Sequence, residues 1–243
     1  MKRLDCLEKE IDASVVIPAL NEEKRIAECL RALRAQNFPG RFEIIVCDAN
    51  SEDKTAEIAK RYADKVIIEK IRGIAAERQR GAIEARGKII AFTDADSQVD
   101  KNWLKEICDC FRDEKVIGAY GSVFFNDGNA LERGMARIVM PLYLRFMALI
   151  GMPSPIGSNL AVRKTAFEKG CCFNTKMKTS EDLDLGRKIM KQGRFVYASR
   201  AVVHVSSRRI KKWGYPKYVL FHVSNAFKFY LTGKAHEKYE DVR

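Results

Sequence analysis

The sequence predicts an α/β fold built on one mainly parallel β-sheet, and three observations support this. In the first half of the chain, short continuous apolar segments alternate with segments whose apolar residues recur at helical spacing. Continuous apolar strands are buried on both faces, which requires a parallel sheet covered by helices. Hydrophobic residues make up 47% of the 243 residues, enough for a large core, so a disordered chain is excluded.

The first half contains four predicted strands and three predicted helices. The first strand ends at Pro18, and a helix then begins at Glu22 with Asn21 as its cap. Asp53 is expected to cap the second helix. Gly81 lies inside the third helix, where glycine costs about 1 kcal/mol relative to alanine, so a neighbour or ligand should approach closely. The predicted strands are 14–18, 42–47, 65–68 and 88–93, and the predicted helices are 22–33, 53–59 and 73–85.

The second half is less regular. We predict helices at 103–111, 131–150, 181–191 and 213–231, and strands at 116–125, 156–162 and 195–205. Pro141 should break the second of these helices, and the last strand is either a strand pair or one bent strand. Two half-domains, 13–98 and 99–210, would share one sheet within a domain spanning 1–210. An amphipathic helical tail, 211–243, would follow.

The chain is strongly basic, with a net charge of +12 and a pI near 9.4. Such a charge suits nucleic acid, an anionic membrane surface or phosphorylated ligands. Nucleic-acid binding would favour basic residues interleaved with aromatic ones along one element, whereas most Lys and Arg here lie beside acidic residues on helices. We therefore expect no nucleic-acid partner. A nucleotidyltransferase would show a glycine-rich loop with an arginine after the first strand, and residues 18–22 show none.

Cysteine usage and hydropathy predict a cytoplasmic protein. The seven cysteines follow no disulfide or zinc-binding spacing, so free thiols in a reducing compartment are expected. Residues 1–12 are charged and resemble no signal peptide. Apolar runs stay well short of the roughly 18 residues that span a bilayer.

Polar residues stand at the carboxyl ends of the predicted strands, where ligands bind in sheets of this kind. Two carboxylates flank Ala95 directly after the fourth strand, at Asp94 and Asp96, and can both reach one hard cation such as Mg²⁺ or Mn²⁺. Gln98 offers a third oxygen. The other residues expected at this edge are Asn21, Glu22 and Asp48.

Three further groups are candidates for substrate contacts. Asp48 can accept an N–H from a nucleobase, and Arg78 can neutralise a diphosphate. Glu181 and Asp182 begin a predicted helix, where carboxylates either complement the helix dipole or take a proton from an acceptor hydroxyl. Spacing alone does not distinguish these two roles of Glu181 and Asp182.

Five motifs occur in a fixed order over residues 13–210. They are Val-Ile-Pro-Ala-Leu-Asn-Glu at 16–22, Asp-Ala-Asn-Ser-Glu-Asp at 48–53, Arg-Gln-Arg-Gly at 78–81, Phe-Thr-Asp-Ala-Asp at 92–96 and Glu-Asp at 181–182. This series resembles family 2 of the glycosyltransferases, which have the GT-A fold.

The resemblance implies an inverting transfer from a UDP- or GDP-linked sugar with Mn²⁺ or Mg²⁺. It assigns Asp182 as general base and places Arg78 near the diphosphate. Asp94, Ala95 and Asp96 would hold ribose, metal and phosphate. The residues expected at the nucleoside are Pro18, Ala19, Asn21, Glu22 and Asp48, and those expected under sugar and acceptor are Gly157, Ser158, Asn159 and Glu181.

The sequence also departs from the family pattern. Ala49 stands where a second aspartate is usual, and Gln79 where an asparagine is usual. The Gln-x-x-Arg-Trp motif of processive members is absent, which favours addition of a single sugar. In its place, His204 is either a core histidine or an extra metal or diphosphate ligand, as in some relatives. Arg208 and Arg209 would hold the leaving diphosphate or simply form basic surface.

The Asp-Ala-Asp-x-Gln run further resembles the dolichyl-phosphate sugar synthases, which act on polyprenyl phosphates at membranes. The acceptor would then be a glycan or a lipid-linked hydroxyl or phosphate. Segments 135–150 and 213–231 either pack in the core or lie in the interface of an anionic membrane. The alternative function is a non-catalytic membrane-surface or nucleic-acid-binding protein that has kept the fold.

Overall fold

The computed structural model describes residues 10–125, 130–170 and 172–236, and its centre is one mixed sheet. Within these residues the sheet has eight strands in the order β3-β2-β1-β4-β7-β6-β8-β5. The strands are β1 Ala13–Ala19, β2 Phe42–Asp48, β3 Lys65–Ile68, β4 Ile89–Phe92, β5 Gln98–Val99, β6 Val116–Phe125, β7 Leu160–Arg163 and β8 Arg194–Val205.

Helices cover the sheet on both sides. They are α1 Ile26–Arg34, α2 Thr55–Ala59, α3 Ile74–Ile83, α4 Trp103–Asp109, α5 Ala130–Leu149, α6 Lys164–Glu168, α7 Glu181–Met190, α8 Arg208–Trp213 and α9 Tyr215–Thr232. A 3-10 turn, Cys110–Arg112, follows α4. Residues 1–9 and 237–243, at the two ends of the predicted domain and tail, lie outside the described residues.

The strand directions confirm the predicted mainly parallel α/β sheet. β1 pairs in parallel with β2 and β4, β2 with β3, and β6 with β8. β7 runs antiparallel to β4 and β6, and β5 runs antiparallel to β8. The shift in the β6–β8 register between Gly121 and Ser122 identifies the last strand as one bent strand. The division into halves at residue 98 stays a prediction.

Successive residues of the central strand β1 point into two different cores. Val15 and Ile17 pack in a core with residues of α1 and α4. Val16 packs in the second core, with residues of α3, α5 and α7. Both faces of the sheet are therefore buried, as the continuous apolar strands predicted.

Several predicted boundaries are wrong. Asn21 does not cap α1, because the helix begins at Ile26 and Asn21 lies in the left-handed region with φ = 53°. The strand predicted from residue 156 begins at Leu160. Pro141 lies inside α5 without ending it. Asp53 lies one residue before the N-cap position of α2, yet its carboxylate accepts the N–H of Thr55 at 2.9 Å.

The five cysteines that the structure describes are free thiols, and two of them, Cys29 and Cys47, are buried. Burial raises the pKa of Cys47 to about 12, so its side chain is a neutral thiol at physiological pH.

Within the described part of the chain, every helix is too short or too polar to cross a membrane.

The close approach predicted at Gly81 is confirmed. A Cβ atom at this position would lie 2.4 Å from Cγ1 of Val16, which is fully buried on β1. Glycine therefore lets α3 lie directly on the sheet. This contact fixes the distance between α3 and the sheet. It thereby also fixes the position of Arg78, one turn earlier in the same helix.

We predict that Gly81→Ala lowers the free energy of unfolding by about 1–3 kcal/mol, because the added methyl overpacks a fully buried site. Gly134→Ala is the matched control, since a Cβ at this α5 position meets nothing within 4 Å. There the better helix propensity of alanine should raise stability by up to about 1 kcal/mol. Urea unfolding of both variants measures the difference, and a neutral Gly81→Ala would contradict the close packing.

Candidate active site

The loops after β1 and β2 are tied together by Asn21. Its backbone N–H donates to Oγ of Ser51 at 2.9 Å, and its side-chain Oδ1 accepts the N–H of Glu52 at 2.9 Å. Asn21 and Asn50 both have positive φ, 53° and 59°, a conformation that asparagine tolerates better than most residues. The carboxyl ends of β1 and β2 thus form one continuous edge.

Asp48 lies at this edge, paired with Ala19 of β1 in the sheet register. It is 1% exposed, and its carboxylate accepts both the N–H and the O–H of Ser51 at 2.7 Å. Pro18 is also buried in β1. The predicted role of Asp48 at a nucleobase stays a prediction, and the geometry gives it a clear second role in holding the loop.

Arg78 is a buried cation between two carboxylates. Its side chain is 2% exposed; Nη2 donates to Oδ1 of Asp94 at 2.8 Å, and Nη1 donates to Oε1 of Glu181 at 2.5 Å. The guanidinium also lies against Gly157, where a Cβ atom would come within 2.2 Å of Nη1. Arg78 thereby joins the end of β4, the start of α7 and the loop before β7.

Arg208 makes a second bridge on the other side of Ala95. Its Nη2 donates to Oδ2 of Asp96 at 2.5 Å and to Oε1 of Glu22 at 2.8 Å. Burial raises the pKa of Glu22, against the lowering effect of the Arg208 hydrogen bond. Ala95 is buried, and its two acidic neighbours pair with different arginines.

Asp182 lies at the start of α7 with its carboxylate facing the loop before β7. Its Oδ2 accepts the N–H of Gly157 at 2.9 Å, and its Oδ1 accepts the N–H of Leu183 at 2.8 Å. Burial raises the pKa of Asp182 to about 7, and the adjacent Glu181 adds to this rise while Arg78 opposes it. The carboxyl group therefore exchanges its proton near neutral pH.

Helix α9 braces the backbone immediately before Asp182. Ser180 has a positive φ of 61°, and its Oγ accepts a hydrogen bond from the Asn225 side chain at 2.7 Å. Asn225 in turn accepts the N–H of His236 at 2.7 Å. Tyr230 donates to the carbonyl oxygen of Pro153 at 2.5 Å. The predicted tail is therefore packed against the candidate base.

Asn159 is buried inside the sheet. Its amide nitrogen donates to the carbonyl oxygens of Ser122 and Ala201 at 2.8 Å, and its Oδ1 accepts from Nε1 of Trp103 at 2.9 Å. Ser158 is buried beside it. These contacts give Asn159 a structural role, and its assignment to the acceptor region stays a prediction.

The remaining predicted ligands lie at the β5–β8 edge. Gln98 is paired with His204 in the sheet register, and Nε2 of His204 lies 3.0 Å from Oδ1 of Asp100. Gln98 and Asp96 line a cavity of about 180 Å³. The side chain of Arg209 lies outside the described residues.

The carboxylates fit a Mg²⁺ or Mn²⁺ site of the open type. In residues 10–125, 130–170 and 172–236, no three His, Cys, Asp or Glu side chains form a ready-made metal cluster. Mg²⁺ usually keeps several waters and takes one or two carboxylates together with substrate phosphates. Asp96 with the adjacent Glu22 supplies such a donor set, whereas Asp94 faces Arg78.

Comparison with known sequences points to one family. The model of "Glycosyl transferase family 2" matches residues 14–171. The chain is 34% identical to "Glycosyltransferase AglE" of Haloferax volcanii over 130 residues, which are 49% of this chain and 43% of that protein. It is 32% identical to "Beta-monoglucosyldiacylglycerol synthase" of Trichormus variabilis over 187 residues, which are 71% of this chain and 40% of that protein. The chain thus spans less than half the length of these relatives.

Two solved structures have the same fold. The mannosyltransferase PcManGT from Pyrobaculum calidifontis, in complex with GDP-Man and Mn²⁺, superposes with a TM-score of 0.68 at 21% identity, covering 93% of this chain and 66% of that one. TarS 1–349 of S. aureus, in complex with UDP-GlcNAc, gives 0.62 at 21% identity, covering 81% and 58%. Both are GT-A fold enzymes, so the predicted fold class is confirmed.

We predict that Arg78→Met lowers the free energy of unfolding by about 3–5 kcal/mol, because Glu181 and Asp94 lose the buried cation that compensates them. Arg72→Met is the control: Arg72 also pairs with a glutamate, Glu52, but both side chains are more than half exposed. Its loss should change stability by less than about 1 kcal/mol. Denaturant unfolding measures both, and equal effects would refute the structural importance of Arg78.

Proposed function

The chain belongs to glycosyl transferase family 2, and on this premise we propose that it is an inverting transferase using a UDP- or GDP-linked sugar donor. The observation that carries the proposal is the position of Asp182. Its carboxylate lies beside the Arg78 bridge, is held by two backbone N–H groups, and has a pKa raised to about 7. A carboxylate with these properties is suited to take a proton from an acceptor near neutral pH.

In the proposed reaction, an acceptor oxygen attacks the anomeric carbon of the donor sugar as the bond to the diphosphate breaks. Asp182 takes the proton of the acceptor hydroxyl. Arg78 fixes the distance between the donor side of the cleft and this base, because it contacts both Asp94 and Glu181. The residues that we assign to the nucleotide side are Pro18, Ala19, Asn21, Glu22, Asp48, Asp94 and Asp96.

We further propose that Mn²⁺ or Mg²⁺ is held at Asp96, with Asp94, Glu22, Gln98 and His204 as the nearby candidates. When bound, the ion would neutralise charge on the departing nucleoside diphosphate. The PcManGT complex with GDP-Man and Mn²⁺, a protein of the same fold, supports this choice of ion.

We predict that Asp182→Asn lowers transfer about 10²–10⁴-fold while donor binding is retained, since a positioned base contributes a factor of this size. The matched control is Asp184→Asn on the same helix, whose carboxylate pairs with Lys188 at 2.7 Å. It should stay active. Release of UDP or GDP measures transfer, and calorimetry measures donor binding. Undiminished transfer in Asp182→Asn would refute the base assignment, whereas no transfer by the native chain would favour the non-catalytic alternative.

The same assignment predicts the pH dependence. Asp182 accepts a proton only when ionised, and its pKa is raised to about 7. The value of kcat/KM should therefore rise with pH up to and through about 7 and then level off. A profile that is flat from pH 5 to 8, or that falls over this range, would contradict a base with this pKa.

For the acceptor, we propose a lipid-linked group or a glycan presented at an anionic membrane. Helix α5 has two apolar faces. Leu144 and Met147 are fully buried in the core, whereas Leu142, Phe146 and Leu149 are 58%, 56% and 86% exposed. Their spacing places the three exposed residues along one side of the helix. We therefore propose that segment 135–150 packs in the core through one face and contacts the membrane through the other.

Charge on α5 and α9 suits an anionic surface. Residues 134–150 contain Arg137 and Arg145 and no acidic residue, and residues 208–236 are likewise free of Asp and Glu. Helix α9 also exposes Leu220 and Leu231, at 69% and 79%. Amphipathic helices with this pattern bind membrane interfaces through apolar insertion and attraction to anionic lipid. We propose a peripheral protein on the cytoplasmic face.

We predict that the chain floats with anionic liposomes and that replacing Leu142, Phe146 and Leu149 together by glutamine lowers its partition at least tenfold, because each lost insertion removes on the order of 1 kcal/mol. The control replaces Ile71 and Ile83, which are 64% and 59% exposed elsewhere on the surface. Equal binding of both variants would refute this membrane face, as would failure of the native chain to float at low salt.

A further inference from the structure

Arg208 holds together carboxylates from distant parts of the chain. Glu22 belongs to the loop after β1, Asp96 follows β4, and Arg208 begins α8. One nitrogen atom, Nη2, donates to an oxygen of each carboxylate, at 2.8 Å and 2.5 Å. A cationic nitrogen thus lies between two oxygens that a hard metal ion would also choose.

We propose that Arg208 is an internal cation that must leave Glu22 and Asp96 before a divalent metal ion binds them, and that the diphosphate of a nucleotide draws it away. This inference rests on the proposed function, because it takes the metal site to be at Asp96. In this exchange, Arg208 moves from the carboxylates to phosphate as the metal moves onto the carboxylates.

Electrostatics make metal binding and nucleotide binding depend on each other. With Arg208 in place, a metal ion at Asp96 would lie within a few ångströms of a second positive charge, and like charges repel strongly in a partly buried site. A diphosphate supplies negative charge that accepts Arg208 in bidentate hydrogen bonds and also ligates the metal. Metal alone therefore binds weakly, and nucleotide strengthens it.

The surroundings allow this exchange. The Arg208 side chain is 25% exposed, so it has a path into solvent. Asp96, Gln98 and Ser206 line the cavity of about 180 Å³, which leaves room for the waters that Mg²⁺ or Mn²⁺ retains. Glu22 also keeps a second buried oxygen, Oε2, which within the described residues makes no hydrogen bond and lies 3.9 Å from Nη1 of Arg25.

The test is a titration with Mn²⁺ in which free ion is followed by electron paramagnetic resonance, with and without UDP or GDP. In the native chain, nucleotide should tighten Mn²⁺ binding by about tenfold or more, a coupling typical of linked sites. In Arg208→Gln, Mn²⁺ alone should bind about tenfold more tightly than in the native chain, and nucleotide should add little.

Arg25→Gln is the matched control, because Arg25 lines the same cavity and lies near Glu22. It removes the same charge without releasing Asp96. If Arg25→Gln tightens Mn²⁺ binding as much as Arg208→Gln does, the effect is one of net charge and the inference is overturned. Equal Mn²⁺ affinity in Arg208→Gln and the native chain also overturns it.

Failure of the metal site and failure of the exchange give different results. If neither the native chain nor Arg208→Gln binds Mn²⁺ in the presence of nucleotide, the metal part of the proposed function is refuted. If Mn²⁺ binds tightly and its affinity depends on neither nucleotide nor Arg208, the metal site is supported and only the exchange is overturned.

Discussion

The geometry of the cleft depends on the contacts of the Arg78 guanidinium. This guanidinium places one buried positive charge between Asp94, at the end of β4, and Glu181, at the start of α7. These two carboxylates belong to different parts of the chain and would repel each other without it. Gly157 provides the space for the guanidinium, and its own N–H then holds Asp182. The end of β4, the candidate base and the loop before β7 are thus positioned by the two ion pairs of Arg78.

The sequence predicted the features that depend on local pattern. Continuous apolar runs predicted the central strands and their burial, and polar residues at the strand ends predicted where Asp48, Asp94 and Asp96 would gather. Gly81 was identified because glycine is unfavourable inside a helix, and Val16 is the neighbour that requires it. In each case a few adjacent residues carry the information.

Features that depend on distant partners were beyond the sequence pattern. Asparagine is a common helix-capping residue, but the side-chain oxygen of Asn21 accepts the N–H of Glu52, 31 residues further on. Nothing near Glu22 indicated its bridge to Arg208, 186 residues away. The helix predicted as a tail supplies Asn225 to Ser180, a contact decided by how α9 folds back. Pattern identifies which side chains are available, whereas tertiary packing decides their partners.

The acidic groups of the cleft are largely compensated by arginines of the same chain. Arg78 pairs with Asp94 and Glu181, and Arg208 pairs with Asp96 and Glu22. The two bridges differ in how deeply the arginine is buried. Arg78 is 2% exposed, so its removal would strand charges in a low dielectric. Arg208 is 25% exposed and lies at the start of a six-residue helix. A fixed bridge and an exchangeable one therefore stand on either side of Ala95, and only the second is placed to respond to a ligand.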